Sequence, residues 1–509
     1  MTIDWLATLD IKQAVKNCYT DIRGDWFRDP WGWPELSWIL RTGSMDFVLQ
    51  RLNASGVRRA SRLDVAKENF STRPALVIDP VDRLAYQALV DRVSMDIIGG
   101  LDSWVYGWRL DEDGPQRAKY ASNRVENERY RDHLKRLVDL YSCGLKTDIV
   151  SCFPSIAIER VAEEVFEAVG HSKISERLID MLEAWNRIPD RSGLPQRSMA
   201  SAVLANMYLS SVDDALRPYN ATRGFAKSYI PEGKAVRWMD DIWLFGNDPG
   251  RLRKAQLDLQ HAMRQVDLDM NLAKTDVYEG EDLEKQVQSL EHSMVDAALD
   301  EPVPNLGPLD ELIDELTAKP EHAARTSVRF ATTRMRDRGL YQRLPDVVDK
   351  AERMPQASDH LARLFRDSEA WRDLKEWFVD YAKGNWGAIE WSVAQLATMF
   401  PTRARNTGPV ADFLAQVLAE HSSLPLLAVA GQRLASWDRD NARFAVREAA
   451  QNADNPQQRR ALALAALAAG EKRSIIRDLL GEFEENAVTL SMLEDRNFKR
   501  LKVTPDFSG

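Results

Sequence analysis

Two textures divide the chain. Up to about residue 300, short runs of β-branched and aromatic residues alternate with amphipathic stretches and turn residues, a mixture that predicts α/β or α+β architecture. Within it, Arg237 to Gly246 (RWMDDIWLFG) has the apolar and aromatic content of a buried hairpin, with Asp240 and Asp241 where its tight turn falls. Beyond Pro302 and Pro304 the apolar positions recur at helical spacing. Pro308 to Leu316 opens this series, which includes Leu361 to Phe378, Val410 to Leu418 and the Ala/Leu-rich Arg460 to Ala469, punctuated by turn residues such as Asn452 to Pro456. Helical units recur about every 35 to 45 residues, which suits both an irregular α-solenoid of stacked helix pairs and a compact helical bundle.

Composition narrows the class. At 509 residues, with 44% hydrophobic and 29% charged residues and only 22 Pro and 25 Gly, the chain is long enough for several domains and is globular rather than disordered. Three cysteines, Cys18, Cys143 and Cys152, cannot build a disulfide framework, and none stands at zinc-module spacing. The start, Met1-Thr2-Ile3-Asp4, lacks the basic-then-apolar pattern of a signal peptide, and no apolar run approaches membrane-spanning length, so a cytoplasmic address with no membrane partner is expected. A net charge of -10 argues against a generic basic nucleic-acid coat. It leaves room for a nucleic-acid enzyme whose metal-binding carboxylates themselves add negative charge. The 15 Trp are read chiefly as packing residues.

Three separated segments carry the chemistry. Lys146-Thr147-Asp148-Ile149-Val150 is an apolar strand end bearing one acid, with Phe153 five residues after it. Gly193-Leu194-Pro195-Gln196-Arg197 is a turn leading into a helix that runs to Leu209. Trp238-Met239-Asp240-Asp241 carries an acid pair, and Asn271-Leu272-Ala273-Lys274 follows some thirty residues on. Transfer of a nucleotide to a hydroxyl gathers negative charge on the attacking and leaving oxygens, and two divalent cations about 4 Å apart stabilise both. Mg²⁺ takes a few carboxylates and completes its shell with phosphate oxygens and water. Asp148 and Asp240 are therefore the candidate metal ligands, Asp241 the auxiliary acid, and the Ile149 carbonyl a further donor. An isolated Asp-Asp would be an ordinary polar turn; the ordered set changes that reading.

In that order the segments resemble motifs A, B, C and D of a reverse transcriptase palm. Asp148 matches the motif A aspartate, Gln196 the motif B glutamine, Asp240 and Asp241 the motif C pair, and Lys274 the motif D lysine. Upstream, Ser71 to Pro74, Asp82-Arg83 and Tyr106 to Arg109 are similar to the fingers segments, so the resemblance spans roughly residues 60 to 280. It implies catalytic Asp148, Asp240, Asp241 and Lys274, with Lys274 protonating departing pyrophosphate. It also implies nucleotide binding by Arg73, Phe153, Gln196 and Ile149: Arg73 on the triphosphate, and the Phe153 ring excluding a 2′-hydroxyl so that dNTPs are favoured. Mg²⁺, or alternatively Mn²⁺, is the implied cofactor. Arg197 departs from the family, which usually has Gly after the motif B Gln, and Trp238 stands where Tyr or Phe is common. No RNase H, integrase or maturase signature is seen.

The Trp-rich run Asp25 to Glu35, the palm motifs and the helical second half look like the bacterial antiphage reverse transcriptases of the abortive-infection group, typified by AbiK and AbiA, and the related defence-associated unknown group. The expected fold is an α+β fingers-palm followed by an all-α HEAT-like repeat domain. The expected boundaries are an N-terminal arm at 1–60, fingers and palm at 61–300 and helical repeats at 301–509. The Trp-rich run is expected to clasp the arm to the palm. The resemblance implies dNTP polymerisation, untemplated or homopolymeric, started from a tyrosine so that the DNA product stays covalently attached, by a homo-oligomer, trimeric or hexameric. Tyr19, Tyr106, Tyr120, Tyr341 and Tyr381 are expected to be freer than Tyr208, a core residue of the motif B helix. Synthesis templated by an associated non-coding RNA is the alternative, and a non-catalytic palm scaffold binding nucleotide or a phage protein is the rival from another class. A cellular or intron-type enzyme would instead depend on an added primer and template.

Overall fold

The computed structural model describes residues 4–22, 24–54, 59–111, 118–220, 233–288, 290–301, 303–405, 407–420, 423–496 and 498. Met1 to Ile3 and Pro302, which entered the reading above, lie outside the described residues. Seven strands are present among them: β1 (Ala60–Ala66), β2 (Thr72–Ile78), β3 (Val105–Tyr106), β4 (Cys143–Thr147), β5 (Gly233–Trp238), β6 (Asp241–Gly246) and β7 (Asp276–Glu279). Contacts divide the chain into two units, one of residues 1–22, 52–58 and 83–294, the other of residues 23–51, 59–82 and 295–509.

The first unit is built on a five-stranded sheet in the order β3-β5-β6-β4-β7, antiparallel except where β3 runs parallel to β5. The period of two decides its faces. Val236, Trp243 and Phe245 turn to one side and form a core with Leu134 and Leu137 of the helix Asn123–Val138 and Leu283 of the helix Gly280–Gln288. On the other side, the helices Ser210–Asn220 and Pro249–Gln265 pack on β5 and on β4 and β6. The expected hairpin is β5–β6, and its two-residue connection is Met239–Asp240, so Asp241 already belongs to β6. The basic residues of the 123–138 helix are partly paired along it, Arg124 with Glu128 and Arg129 with Glu126, as on a solvated face.

The second unit is helical apart from the antiparallel β1–β2 hairpin. Its helices pack on the next but one in sequence. One row runs Arg325–Arg338, Ser358–Asp367, Glu390–Ala397, Leu424–Trp437 and Pro456–Ala468; a second runs Lys375–Lys383, Gly408–Ala419 and Arg439–Ala450. Asn455 caps the 456–468 helix by accepting from the Gln457 and Gln458 amides, with Pro456 in the first turn, so the Asn-Pro signal is a helix start. The single helical pattern read from Leu361 to Phe378 is two helices, 358–367 and 375–383. Glu369, at φ 62, takes the left-handed conformation that breaks them.

The second unit resumes at Val295, close to the expected boundary at 300, while residues 23–51 and 59–82 pack with it rather than as a separate arm and fingers. Both the Trp-rich run and the β1–β2 hairpin belong with the C-terminal helices. Trp391 Nε1 donates to the Trp26 carbonyl at 2.9 Å and Gln432 Nε2 to that of Pro30 at 2.5 Å, while Ser61 meets Asn455 and Gln457. Arg460, buried beneath the Trp33 ring at 4.6 Å, donates to Glu35 at 2.7 and 2.9 Å and to Asp29 at 2.8 Å. The clasp expected against the palm is thus made with the helices, because two buried carboxylates need the guanidinium that the 456–468 helix supplies. All three cysteines are free and buried. No helix among the described residues is long and apolar enough to cross a membrane.

Candidate active site

The acids gather at one end of the first unit's sheet, where strand pairing fixes their spacing. β4 ends at Thr147, opposite Ile242 of β6, so Asp148 emerges beside the β5–β6 turn that carries Asp240. A second tie holds Asp148 from the other side. The Asn271 amide donates to the Asp148 carbonyl at 2.8 Å and the Val150 amide to the Asp269 carbonyl at 2.8 Å, forming a short bridge at Ile149 and Met270. This bridge uses the peptide groups flanking Ile149. Thr147 and Thr275 share a 2.7 Å hydroxyl contact that fixes the Lys274 turn against the strand end.

Lys274 Nζ lies 2.5 Å from Asp148 Oδ2, and Asn271 Nδ2 reaches the same oxygen at 3.4 Å. The lysine is 66% exposed while the Asp148 side chain is 9% exposed, so a largely solvated cation caps a sequestered carboxylate. Asp240 is hydrogen-bonded to Asp148, and its carboxyl is pushed up to about 7 by burial first and then by the charges of Asp241 and Asp148. Asp241, solvent-exposed at the start of β6, is raised too, by the surrounding protein and then by Asp148, with Lys146 and Lys274 pulling the other way. Burial works against the Lys274 charge, but its bond to Asp148 and the three carboxylates outweigh it and hold the ammonium above its ordinary value.

Carboxyls that raise one another in this way have more negative charge than the local cations neutralise. Their oxygens suit a hard divalent cation that takes one or two protein carboxylates and fills its shell with water and phosphate. Asp148 and Asp240 are placed for that role. Among the described residues no three His, Cys, Asp or Glu side chains are arranged to hold a metal ion, so the expected donor set is brought together as a pair rather than as a closed cage.

The turn that carries Asp240 is held from below by residues the sequence reading did not single out. Arg237, fully buried on β5, pairs with Asp213 at 2.7 and 2.6 Å, contacts Asn206 at 3.0 Å and donates to the Met239 carbonyl at 3.1 Å. Asn206 in turn donates to the Gly107 carbonyl at 2.9 Å. Met239 takes φ 54, a conformation costly for a residue with a Cβ, and the Arg237 bond helps fix it. An arginine at an inward-facing strand position three residues before the acid pair was the available signal. Trp238 packs between Trp108 and Tyr130, with ring centroids at 6.0 and 5.6 Å, keeping apolar cover beside the acids.

Phe153 and Gln196 are brought together by backbone. The Leu194 amide donates to the Phe153 carbonyl at 2.9 Å and Ser192 Oγ to the Pro154 carbonyl at 2.7 Å. Gly193 is required here: at φ 70, a Cβ would stand 2.1 Å from the Phe153 carbonyl oxygen. Phe153 and Gln196 are half-buried, and the Gln196 side-chain oxygen is buried without a hydrogen-bond partner, an acceptor available to a ligand. Arg197 is exposed at φ 57, so it adopts the left-handed backbone that glycine takes without strain, and Arg83 donates to its carbonyl at 3.1 Å. Arg73 belongs to the second unit, on β2, where its guanidinium lies 5.6 Å from the Trp26 ring centroid.

The tyrosines sort differently from expectation. Tyr208 is core, donating to the Val266 carbonyl at 2.7 Å. Tyr106 and Tyr381 are also buried, each hydrogen-bonded, to His133 at 2.9 Å and Ser392 at 2.7 Å, and Tyr120 donates to Asp91 at 2.8 Å. These three are therefore no freer than Tyr208. Tyr19 and Tyr341 are half-buried.

Residues 66–307 match the family model described as reverse transcriptase (RNA-dependent DNA polymerase). No curated protein matches the sequence. Among solved structures, the chain is similar to a telomerase from Candida albicans in complex with a fragment of telomeric RNA, at 11% identity over 69% of this chain and 68% of that one, with a TM-score of 0.30. It is likewise similar to an apo telomerase from Candida tropicalis, at 11% identity over 87% of this chain and 73% of that one, with a TM-score of 0.31. Structural likeness at that level carries no functional weight.

Proposed function

From the premise that residues 66–307 form a reverse transcriptase domain and that the chain is a DNA polymerase of that type, we propose that it is an antiphage enzyme. On this reading it polymerises dNTPs in the cytoplasm, starting from a tyrosine of its own and without a template, as a homo-oligomer whose C-terminal helices are HEAT-like repeats. The observation that carries the catalytic part is the Asp148–Asp240 pair capped by Lys274.

In this mechanism Asp148 and Asp240 would hold Mg²⁺ or Mn²⁺. When bound, the cations supply charge stabilisation at the attacking and leaving oxygens. Lys274 keeps its proton through the neutral range and is poised to give it to the departing pyrophosphate oxygen. The half-buried Phe153 ring selects against a 2′-hydroxyl, and Gln196 offers its unpartnered oxygen to the incoming nucleotide. The acceptor hydroxyl on this reading is a phenol, a competent nucleophile beside a divalent cation.

A second reading, synthesis templated by a non-coding RNA, is favoured by one observation. Arg197 adopts the backbone conformation that glycine takes most easily, so the departure from the family pattern leaves the turn itself intact. The deciding experiment incubates purified protein with Mg²⁺ and one labelled dNTP at a time, without primer or template, beside an Asp240→Ala control. Label that stays on denatured protein, is released by protease and is absent from the control is expected. Incorporation only after an RNA or an oligonucleotide duplex is added would replace the untemplated reading with the templated one. No incorporation under any of these conditions would leave the scaffold.

A further inference from the structure

The second unit carries, outside residues 66–307, an open cleft of about 480 Å³, within the range of about 300–1,000 Å³ that organic ligands occupy. Two segments build it. Trp371, Arg372 and Lys375 lie where the chain passes from the 358–367 helix into the 375–383 helix, and Pro401, Arg403 and Arg405 lie in the turn after the Glu390–Ala397 helix. Both segments are held by packing and hydrogen bonds. The Pro401 carbonyl accepts from the Ala404 amide at 2.9 Å and from Trp437 Nε1 at 3.0 Å, which closes the second turn and ties it to the Leu424–Trp437 helix. The half-buried Trp371 ring meets the buried Phe400 ring edge to face, with centroids 6.4 Å apart.

The lining has four cations and no acid. Arg372 bonds to Glu369 at 2.9 Å and lies 5.6 Å from the Trp371 ring centroid. Lys375, Arg403 and Arg405 have no side-chain partner among the described residues. Elsewhere in the unit surface arginines are answered by carboxylates: Arg334 by Asp296, Arg336 by Asp367, Arg353 by Glu321 and Arg477 by Glu494. Acids stand close in sequence here too, since Asp373 and Glu376 are both exposed, but neither pairs with these cations. In a chain of net charge -10, an acid-free lining of four cations is a local attractor for anions. Phosphates along a strand meet several fixed cations at once and release their condensed counterions. A base, in turn, stacks on an indole face flanked by a guanidinium. Carboxylates of an acidic peptide would use the charges and leave the ring idle.

We propose that this cleft binds single-stranded nucleic acid, with a base stacked on Trp371 and neighbouring phosphates held by Lys375, Arg403 and Arg405. The choice of ligand rests on the chain being a nucleic-acid polymerase, and the site does not depend on the catalytic acids or on how synthesis is primed.

The test measures fluorescence anisotropy of a labelled single-stranded oligonucleotide of about 16 nucleotides, as DNA and as RNA, titrated with the full chain in EDTA without dNTP. Wild type is compared with an Arg403→Gln, Arg405→Gln double variant and with Trp371→Leu, each checked for an unchanged unfolding midpoint. Both arginines are exposed, so the double variant keeps its fold even where Trp371→Leu loses packing on Phe400. The double variant is expected to bind about tenfold more weakly, with the slope of log affinity against log salt reduced by about 1.4, the share of two lost phosphate contacts. A folded Trp371→Leu is expected to lose about fivefold or more with its salt slope unchanged. Tighter binding of one strand type assigns the site to DNA or to RNA, and either keeps it. No strand bound by wild type, equal affinity and slope in the double variant, or displacement of the strand by polyglutamate as readily as by unlabelled oligonucleotide overturns the proposal. Because neither metal nor dNTP is present, failure here leaves the incorporation assay unaffected, and failure of that assay leaves this one standing.

Discussion

Two carboxylate clusters in this protein surround a single cation, and they behave oppositely. Around Arg460, Asp29 and Glu35 are buried with a buried guanidinium that bonds to both. Burial alone would raise Glu35, but the Arg460 charge and the hydrogen bonds from Arg460 and Thr489 override it and hold the carboxyl below its ordinary value. Around Lys274, the Asp148, Asp240 and Asp241 cluster meets a mostly exposed ammonium through one short bond, and Asp240 is pushed up to about 7. The first cluster is saturated and fastens an N-terminal segment to a helix 425 residues away. The second is short of positive charge, the state expected of carboxylates whose remaining counter-charge arrives with a ligand.

Removing an acid from one cluster and the cation from the other should separate the two. Asp240→Asn is expected to abolish nucleotide incorporation by about 10³-fold or more, since the lost carboxylate acts on the reacting centre. Its unfolding midpoint should not fall, because the substitution relieves a crowded charge; a fall by several degrees would make the cluster structural. Arg460→Ala is the converse. It strands two buried carboxylates and should cost about 3–5 kcal/mol, read from the denaturant midpoint of the second unit. A loss under 1 kcal/mol would mean the clasp is incidental.

A third carboxyl tests the intermediate case. Asp91 is buried, and among the described residues its side chain accepts from the neutral donors Gln87 at 2.7 Å, Tyr120 at 2.8 Å and Asn17 at 2.9 Å. Burial raises it to about 7 against those bonds. Because the folded value lies above the unfolded one, near 4, the unfolded chain gives up this proton first as pH rises. Stability from this group is therefore complete below about pH 4 and is lost progressively up to about pH 7. The change is about 3–4 kcal/mol at most. Asp91→Asn should flatten that slope in unfolding measured between those pH values, and an unchanged slope would remove Asp91 as its source. The smallest effect concerns Arg197: Arg197→Gly should relieve up to about 1 kcal/mol of left-handed backbone strain at φ 57. A net loss of stability would mean that the interactions of the Arg197 side chain outweigh that strain.

The Asp148–Asp240 side of this comparison was legible because its spacing is local. A strand end, a two-residue turn and a turn thirty residues later carry Asp148, Asp240 and Lys274, and sheet pairing converts that order into proximity. The hairpin was placed correctly and its turn to within one residue. Arg237 was passed over, since its partner Asp213 lies 24 residues away on another helix and neither residue stands out in its own segment. The Trp-rich run was recognised as a packing element but assigned the wrong partner, because nothing near Glu35 reveals a guanidinium more than four hundred residues downstream. The tyrosines failed for a related reason: whether a phenol is free depends on distant neighbours such as His133 for Tyr106 and Asp91 for Tyr120.

The central claim is that the Asp148–Asp240 cluster lacks a counter-charge that a divalent cation supplies. Its most direct test is Mn²⁺ uptake, followed by electron paramagnetic resonance on wild type and on a folded Asp148→Asn, Asp240→Asn double variant in the presence of a dNTP. The account predicts tightly held Mn²⁺ in the wild type that the double variant fails to retain, with unfolding midpoints that do not fall. Equal Mn²⁺ uptake by the two proteins would contradict it.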